Sequence, residues 1–339
     1  MQDSPQPVRV SLIEPTGPIP LASFQHRLPG GSTHLGPVKF VEPGEQSDVS
    51  IVFGYLKYDT KITARAGGIW NWHLEPIVRR PFGRGYDRIF THLDVPEDPR
   101  VSTAAPVLDW WLGKSYDELV SLPLPEKSRP FSAIASTKDW IDGHRLRGEI
   151  VTRAAERFPD MDLFGRGRER EVEDKWDGLA PYRYSLAIEN TAKRDYWTEK
   201  IADCFLSYTV PFYWGATNIS DYFPEQSFVW LPIDDPPRAL EIIQDTLDRD
   251  DWESRLPALK EARRRVLDRY SLAARVLDLV ERDFNNLVSA PLLTKKVHGR
   301  RTRPGGWIRG IGLSGNLHAR LDRRRQRQSR PAAGKTSGS

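Results

Sequence analysis

Residues 182 to 232 read YRYSLAIENTAKRDYWTEKIADCFLSYTVPFYWGATNISDYFPEQSFVWLP, and the order of patterns in this stretch decides the fold. It opens on RYSLAIE (183–189), a run apolar on both faces, as buried parallel strands tend to be. The run ends in the polar triplet Glu189-Asn190-Thr191. A helix is expected from Asp195 or Tyr196, with Glu199 and Lys200 in its first turns. VPFYWG (210–215) and SFVWL (227–231) then read as two further strands. In open α/β sheets ligands bind beyond the carboxyl ends of the strands, where these polar groups fall. The free N–H groups of a helix start favour an anion, and Lys200 adds a point charge suited to phosphate. Taken singly, Glu199 and Lys200 also read as a solvated helix pair and Asn190 as a cap. Together with the aromatic second strand they point to a phosphorylated ligand.

Similar runs recur upstream: VRVSLI (8–13), DVSIVFGY (48–55), DRIFTHL (87–93), FSAIAS (131–136) and MDLFG (161–165). A helix from about Gly143 to Phe158 lies between the last two. Strands alternating with helices predict an α/β class with parallel sheets. SLPLPEKSRP (121–130), with three prolines, is the expected connection between two Rossmann-like domains. This divides the chain into an N-terminal domain (1–125), a second domain (126–294) and a tail (295–339). After Pro237 the pattern becomes helical, with Leu240, Ile243 and Leu247 on one face. Leu272, Val276, Val280 and Phe284 form a second such run.

The chain has 339 residues, 39% hydrophobic, which is ample for packed cores and excludes a disordered chain. One cysteine, Cys204, excludes a disulfide framework and any zinc site built from several cysteines. Seven scattered histidines leave little basis for a metal centre. No stretch approaches the roughly 20 apolar residues of a membrane span. The first residues lack the pattern of a secretory signal, so a cytoplasmic protein is expected. Charge is unevenly placed. Residues 295–339 hold 13 Lys and Arg against one acid, Asp322, whereas the whole chain carries only +4. The body is therefore acidic and the tail basic. Trp307, Ile308, Ile311, Leu313, Leu317 and Leu321 alternate with arginines there, a pattern that fits an anionic membrane surface. Disorder is the plainer alternative, given five glycines between 305 and 315. Nucleic acid is not the expected partner.

The motifs AIENT, DYWTEK, TVPFYWGATN and SFVWL follow one another at close spacing. In order and spacing they resemble FAFENS…DYVTEK…TVPVYWG…SFI, the signature of the family 10 glycosyltransferases, the α1,3/α1,4-fucosyltransferases. Ile188, Thr191 and Trp197 depart from it, and Thr191 keeps the hydroxyl of the usual serine. More weakly, FSAIASTKDWIDGHRLRGEIVTRAAERFPDMDLFGRG is similar to the family's strand, basic residue, helix and second strand. That similarity points to Arg147 as the basic residue, with Arg145 second and Ser136-Thr137 in place of Ser-Asn. GIWNWHLEP is similar to the segment that carries the family's catalytic carboxylate. The resemblance covers roughly residues 65 to 235.

The resemblance implies a GT-B fold, two Rossmann-like domains facing across a cleft, followed here by C-terminal helices and the basic tail. It implies GDP-fucose as donor and a glycan as acceptor, an oligosaccharide or a lipid-linked precursor, with inversion at the anomeric carbon and α1,3 or α1,4 linkage. Arg147, Asn190, Tyr196, Glu199 and Lys200 would bind the donor and Glu75 would be the base. No cofactor and no obligatory metal are implied. With the basic tail, this reading places the enzyme at the inner face of the cell membrane. Another GDP-sugar as donor, or an inactive basic-tailed binding protein, are the alternatives. Asp160-Met161-Asp162 spells a DxD metal motif but reads as structural. Glu42 is the competing base. His73 is expected to pack rather than catalyse, and Trp70 and Trp72 read equally as core or as a platform for an acceptor sugar.

Overall fold

The computed structural model describes residues 6–76, 82–107, 110–135 and 142–300. The first sheet contains β1 (Val8–Glu14), β2 (Gly17–Pro18), β3 (His34–Leu35), β4 (Val38–Phe40) and β5 (Val49–Phe53). β6 (Thr60–Arg65) stands apart, and β7 (Ile69–Trp72), β8 (Arg88–Thr91) and β9 (Val101–Thr103) complete the sheet. The order is β3-β4-β1-β5-β7-β8-β9, parallel from β4 to β9, with β2 and β3 as short antiparallel additions. β5 shows why: Val49, Ile51 and Val52 are all fully buried, so both of its faces need cover.

A short helix α1 (Tyr116–Ser121), closed by a Ser115/Glu118 capping box, leads to the second sheet. There β10 (Arg129–Ile134), helix α2 (Asp142–Arg157), β11 (Asp162–Phe164), β12 (Tyr182–Ile188), helix α3 (Glu199–Leu206), β13 (Val210–Trp214) and β14 (Val229–Trp230) follow in turn. The order is β11-β10-β12-β13-β14, every pairing parallel. Tyr184, Leu186, Ile188, Phe212 and Tyr213 are buried in one large core with Ile150, Ile201 and Phe205 from the helices. Each such side chain contributes about 1.5–3 kcal/mol relative to exposure.

Helices α4 (Pro236–Arg249), α5 (Trp252–Arg265) and α6 (Leu272–Ser289) close the chain, followed by β15 (Leu292–Val297). A π-helical turn, Val266–Tyr270, joins α5 to α6. The expected apolar stripes fall on α4 and α6; α5, interrupted by Pro257, carried no such stripe and was not anticipated.

The expected division after residue 125 remains a proposal, and packing crosses it in both directions. Trp110, Leu112 and Leu119 join the core of the second sheet. Ala273, Val276, Val280 and Leu287 of α6 pack on the first sheet with Val10, Ile51, Trp70 and Trp72. β15 pairs antiparallel with β6, so Lys295–Val297, counted with the tail, are sheet residues. The rest of the tail from residue 301, including Trp307 to Leu321, lies outside the described residues.

Candidate functional site

The site starts from one buried charge. β12 ends at Ile188, and Glu189 follows with none of its surface exposed. An isolated carboxylate in an apolar interior would neutralise rather than stay charged. Here Glu189 Oε1 accepts from Thr198 N at 2.7 Å, and both carboxylate oxygens lie within 2.9 Å of Thr198 Oγ1. Lys200 Nζ donates to Oε2 at 3.0 Å. Burial pushes the Glu189 carboxyl up, and Lys200 opposes it. Burial alone would lower Lys200; the Glu189 and Glu199 carboxylates outweigh it and raise the ammonium instead.

Thr198 does double duty as the N-cap of α3, its hydroxyl accepting from Lys200 N. The helix therefore begins at Glu199, not at Asp195 or Tyr196 as the sequence led us to expect. Asp195 instead adopts a left-handed conformation, φ 61°. That turn is held by Asn218, which accepts from Asp195 N and donates to its carboxylate, both at 2.8 Å, and by Tyr222 Oη at 2.6 Å. On the far side, Gly215 is obligatory: a Cβ there would lie 2.2 Å from Tyr213 Oη and 2.5 Å from Glu189 Cγ.

Arg147, on α2, donates to Asn190 Oδ1 at 2.7 Å and is largely buried, whereas Arg145, the second choice, is exposed. Burial lowers the Arg147 guanidinium, and Glu189 and Glu199 oppose that shift. Glu199 is half-buried beside Lys200, 3.6 Å away, and Lys200 and Lys175 together outweigh burial to hold its carboxyl low. The structure thus brings Arg147, Asn190, Glu199 and Lys200 together around Glu189. Sequence reasoning passed over Lys175, which pairs with buried Asp203 at 2.9 Å and extends the cationic side of the site. It opens a single 3₁₀ turn, Lys175–Gly178, distant in sequence from the main motif, and so short an element left no periodic signal.

Tyr196 faces the other sheet. It is buried, its ring meets His92 edge-on at a centroid distance of 5.0 Å, and its hydroxyl is pushed well up by burial and by the Glu189, Glu75 and Glu199 carboxylates. Glu75 is half-buried just beyond the carboxyl end of β7, within electrostatic reach of Tyr196. Lys193 Nζ donates to the Pro76 carbonyl at 3.1 Å and ties the two sides. His73 and His92 are buried, and burial brings both down to about 4. For His92, Lys193 adds to that shift, while Asp195 and a Pro76 carbonyl contact short of hydrogen-bond geometry oppose it.

Other sequence candidates fall elsewhere. Trp70 and Trp72 are fully buried, so they are core and not a sugar platform. Asp162 accepts from Arg129 at 2.6 Å, from Tyr182 at 2.6 Å and from Arg170. Glu42 accepts from Leu21 N at 3.2 Å. Ser136-Thr137 lies outside the described residues. Among the described residues, no group of three His, Cys, Asp or Glu is arranged to hold a metal ion.

Residues 125–252 match the family model "Glycosyltransferase family 10 (fucosyltransferase) C-term". An alpha-(1,3)-fucosyltransferase of Helicobacter pylori is 41% identical over 58 residues, 17% of this chain and 12% of that protein. A GDP-fucose protein O-fucosyltransferase 3 of Danio rerio is 38% identical over 82 residues, 24% of this chain and 18% of that protein. The matched stretches are thus a small part of those relatives. The likeness to a solved alpha1,3-fucosyltransferase structure with GDP-fucose is of fold: TM-score 0.53 at 17% identity, over 86% of this chain and 94% of that one. The chain has the GT-B fold, and its segment 125–252 belongs to glycosyltransferase family 10.

Proposed function

We propose that the protein is an inverting fucosyltransferase that takes L-fucose from GDP-fucose to a hydroxyl of a glycan, in α1,3 or α1,4 linkage. The observation that carries this reading is the group of Arg147, Asn190, Glu199 and Lys200 at the carboxyl end of β12 and the start of α3, inside the family-matched segment. Lys200 and Arg147 would neutralise the diphosphate, and the N–H groups at the start of α3 would add to that field. Glu199, held ionised, accepts hydrogen bonds from ribose hydroxyls.

In the reaction the acceptor O–H gives its proton to the Glu75 carboxylate while its oxygen attacks the anomeric carbon. The bond from that carbon to the diphosphate oxygen breaks, and GDP leaves with the electron pair. Glu75, just beyond the carboxyl end of β7 and within electrostatic reach of Tyr196, would supply the base that attack on the far face of the sugar requires.

Isothermal titration of GDP-fucose, GDP-mannose and a UDP-sugar tests the reading. Selective binding of GDP-fucose is expected, and loss of binding in Glu199→Gln. We also propose that the basic tail holds the enzyme on an anionic membrane surface, where a lipid-linked acceptor would be met. Binding to phosphatidylglycerol vesicles that survives removal of residues 301–339 would refute that part.

A further inference from the structure

A cavity of about 250 Å³ lies beside the candidate donor site and belongs to none of the groups named above as donor-binding. One wall is the end of β9 and the loop beyond it, residues 103–106; a second is Asp195, Trp197, Asn218 and Tyr222. Three arginines converge on it, Arg194, Arg269 and Arg275. The two acids in its wall are already engaged: Asp195 by Asn218 and Tyr222, Asp221 by Asn218 and Arg194. Arg269 and Arg275, by contrast, make no ion pair with an acid among the described residues. Arg275 is half-buried, its guanidinium 5.7 Å from the centroid of the Trp72 ring, and burial lowers its affinity for its proton. Asp278, the acid nearest in effect to Arg275, is itself paired with Arg282, so a polar cavity presenting two guanidiniums without an ion-paired acid suits an oxyanion with bidentate geometry.

The position says which molecule brings that oxyanion. Arg275 sits over Trp72, three residues before Glu75 on the same strand end, and Asp195 adjoins Tyr196. The cavity thus lies between the end of β9 on the first sheet and the loop around Asp195 that flanks the donor-binding Tyr196, the side from which an acceptor would meet the donor. At about 250 Å³ it is smaller than pockets that enclose a whole drug-sized ligand. Trp197, where the family resemblance leads us to expect a smaller residue, forms part of its wall. We propose that this cavity is an acceptor subsite for a sugar ring carrying a carboxylate or a phosphate. Assigning it to the acceptor rests on the transferase reading; the anion site itself stands on the arginines.

The test uses the full chain, with and without saturating GDP, titrated with glucuronate, glucose 1-phosphate and glucose. At least one charged sugar is expected to bind tenfold or more tightly than glucose, with GDP present, and which one identifies the group. Arg269→Gln, at an exposed position, and Arg275→Lys are each expected to weaken that binding several-fold while GDP affinity stays unchanged. Equal binding of all three sugars overturns the proposal, as does wild-type affinity in both variants. Displacement of the charged sugar by GDP would assign the cavity to the donor and overturn it too. If GDP itself fails to bind, the transferase reading falls, and charged-sugar binding lost in the variants would still establish the anion site.

Discussion

Lys200 Nζ donates at 3.0 Å to the carboxylate of Glu189, a residue with no exposed surface, at the junction of β12 and α3. The ammonium proposed to meet the donor diphosphate is thus held from below by a buried countercharge. Thr198 braces the same carboxylate with its backbone N–H and its hydroxyl, so the position of Lys200 is set before any ligand arrives.

Removal of Lys200 alone should therefore do two things. Lys200→Ala leaves a buried carboxylate unpaired, which costs on the order of 3–5 kcal/mol. It should also abolish turnover. The double variant Glu189→Gln/Lys200→Gln removes both charges, so urea unfolding should show it more stable than Lys200→Ala while GDP binding stays lost. Equal stability of the two would remove Glu189 as the countercharge.

Glu189→Gln by itself keeps the shape but removes the buried countercharge of Lys200, leaving its ammonium only Thr198 Oγ1 at 3.0 Å and Glu199 at 3.6 Å. Weaker GDP binding with little change in fold is expected, on the order of tenfold for about 1.4 kcal/mol of lost preorganisation. An unchanged dissociation constant in calorimetry would show that Lys200 needs no such anchor.

Gly215→Ala puts a methyl group 2.2 Å from Tyr213 Oη and 2.5 Å from Glu189 Cγ. One of the two must move, at about 1–3 kcal/mol or more. A lowered midpoint in thermal unfolding, together with weaker GDP binding, is the expected result; a wild-type midpoint would contradict the packing described.

Glu75→Gln should cut the rate by about a hundredfold or more, the scale of general-base catalysis, and leave GDP affinity intact. Kinetics with a glycan acceptor alongside calorimetry separate the two effects. Undiminished turnover would remove Glu75 as the base.

The fold also carries a built-in sensitivity to acid. His73 and His92 are held near 4 by burial, below the usual 6.5, so the folded protein keeps both neutral. Below pH 6.5 the unfolded chain binds more protons than the folded one. The contribution of each, up to about 3 kcal/mol, is therefore full above pH 6.5 and lost as pH falls through about 4. His92→Phe should flatten the loss of stability between pH 6.5 and 4.5, measured by urea midpoints; the same slope as wild type would place the proton elsewhere.

What the sequence disclosed and what it withheld follow from the range of the interactions. RYSLAIE and TVPFYWG were legible because a strand buried on both faces must be apolar throughout, and β12 and β13 fall within a residue of those runs. Arg147 and Asn190 needed the family resemblance, since nothing local says that residues 43 apart share a hydrogen bond. The late start of α3 was missed because Thr198 outcompetes Asp195 as cap, and Asp195 is drawn into its turn by Asn218, 23 residues on. α6 read as a helix and Lys295–Val297 as tail, yet α6 packs on Val10, Ile51, Trp70 and Trp72 of the first sheet and β15 pairs with β6, more than 200 residues back in either case. Periodicity reports which face is apolar, not which core it meets.

The central claim is that the group built on Glu189 and Lys200 is a GDP-fucose site. The most direct measurement is calorimetric titration of GDP-fucose, GDP-mannose and a UDP-sugar into the full chain, with Glu199→Gln in parallel. We predict saturable binding of GDP-fucose, much weaker binding of the others, and loss of binding in the variant. Binding of none of the three, or equal binding in Glu199→Gln, would contradict it.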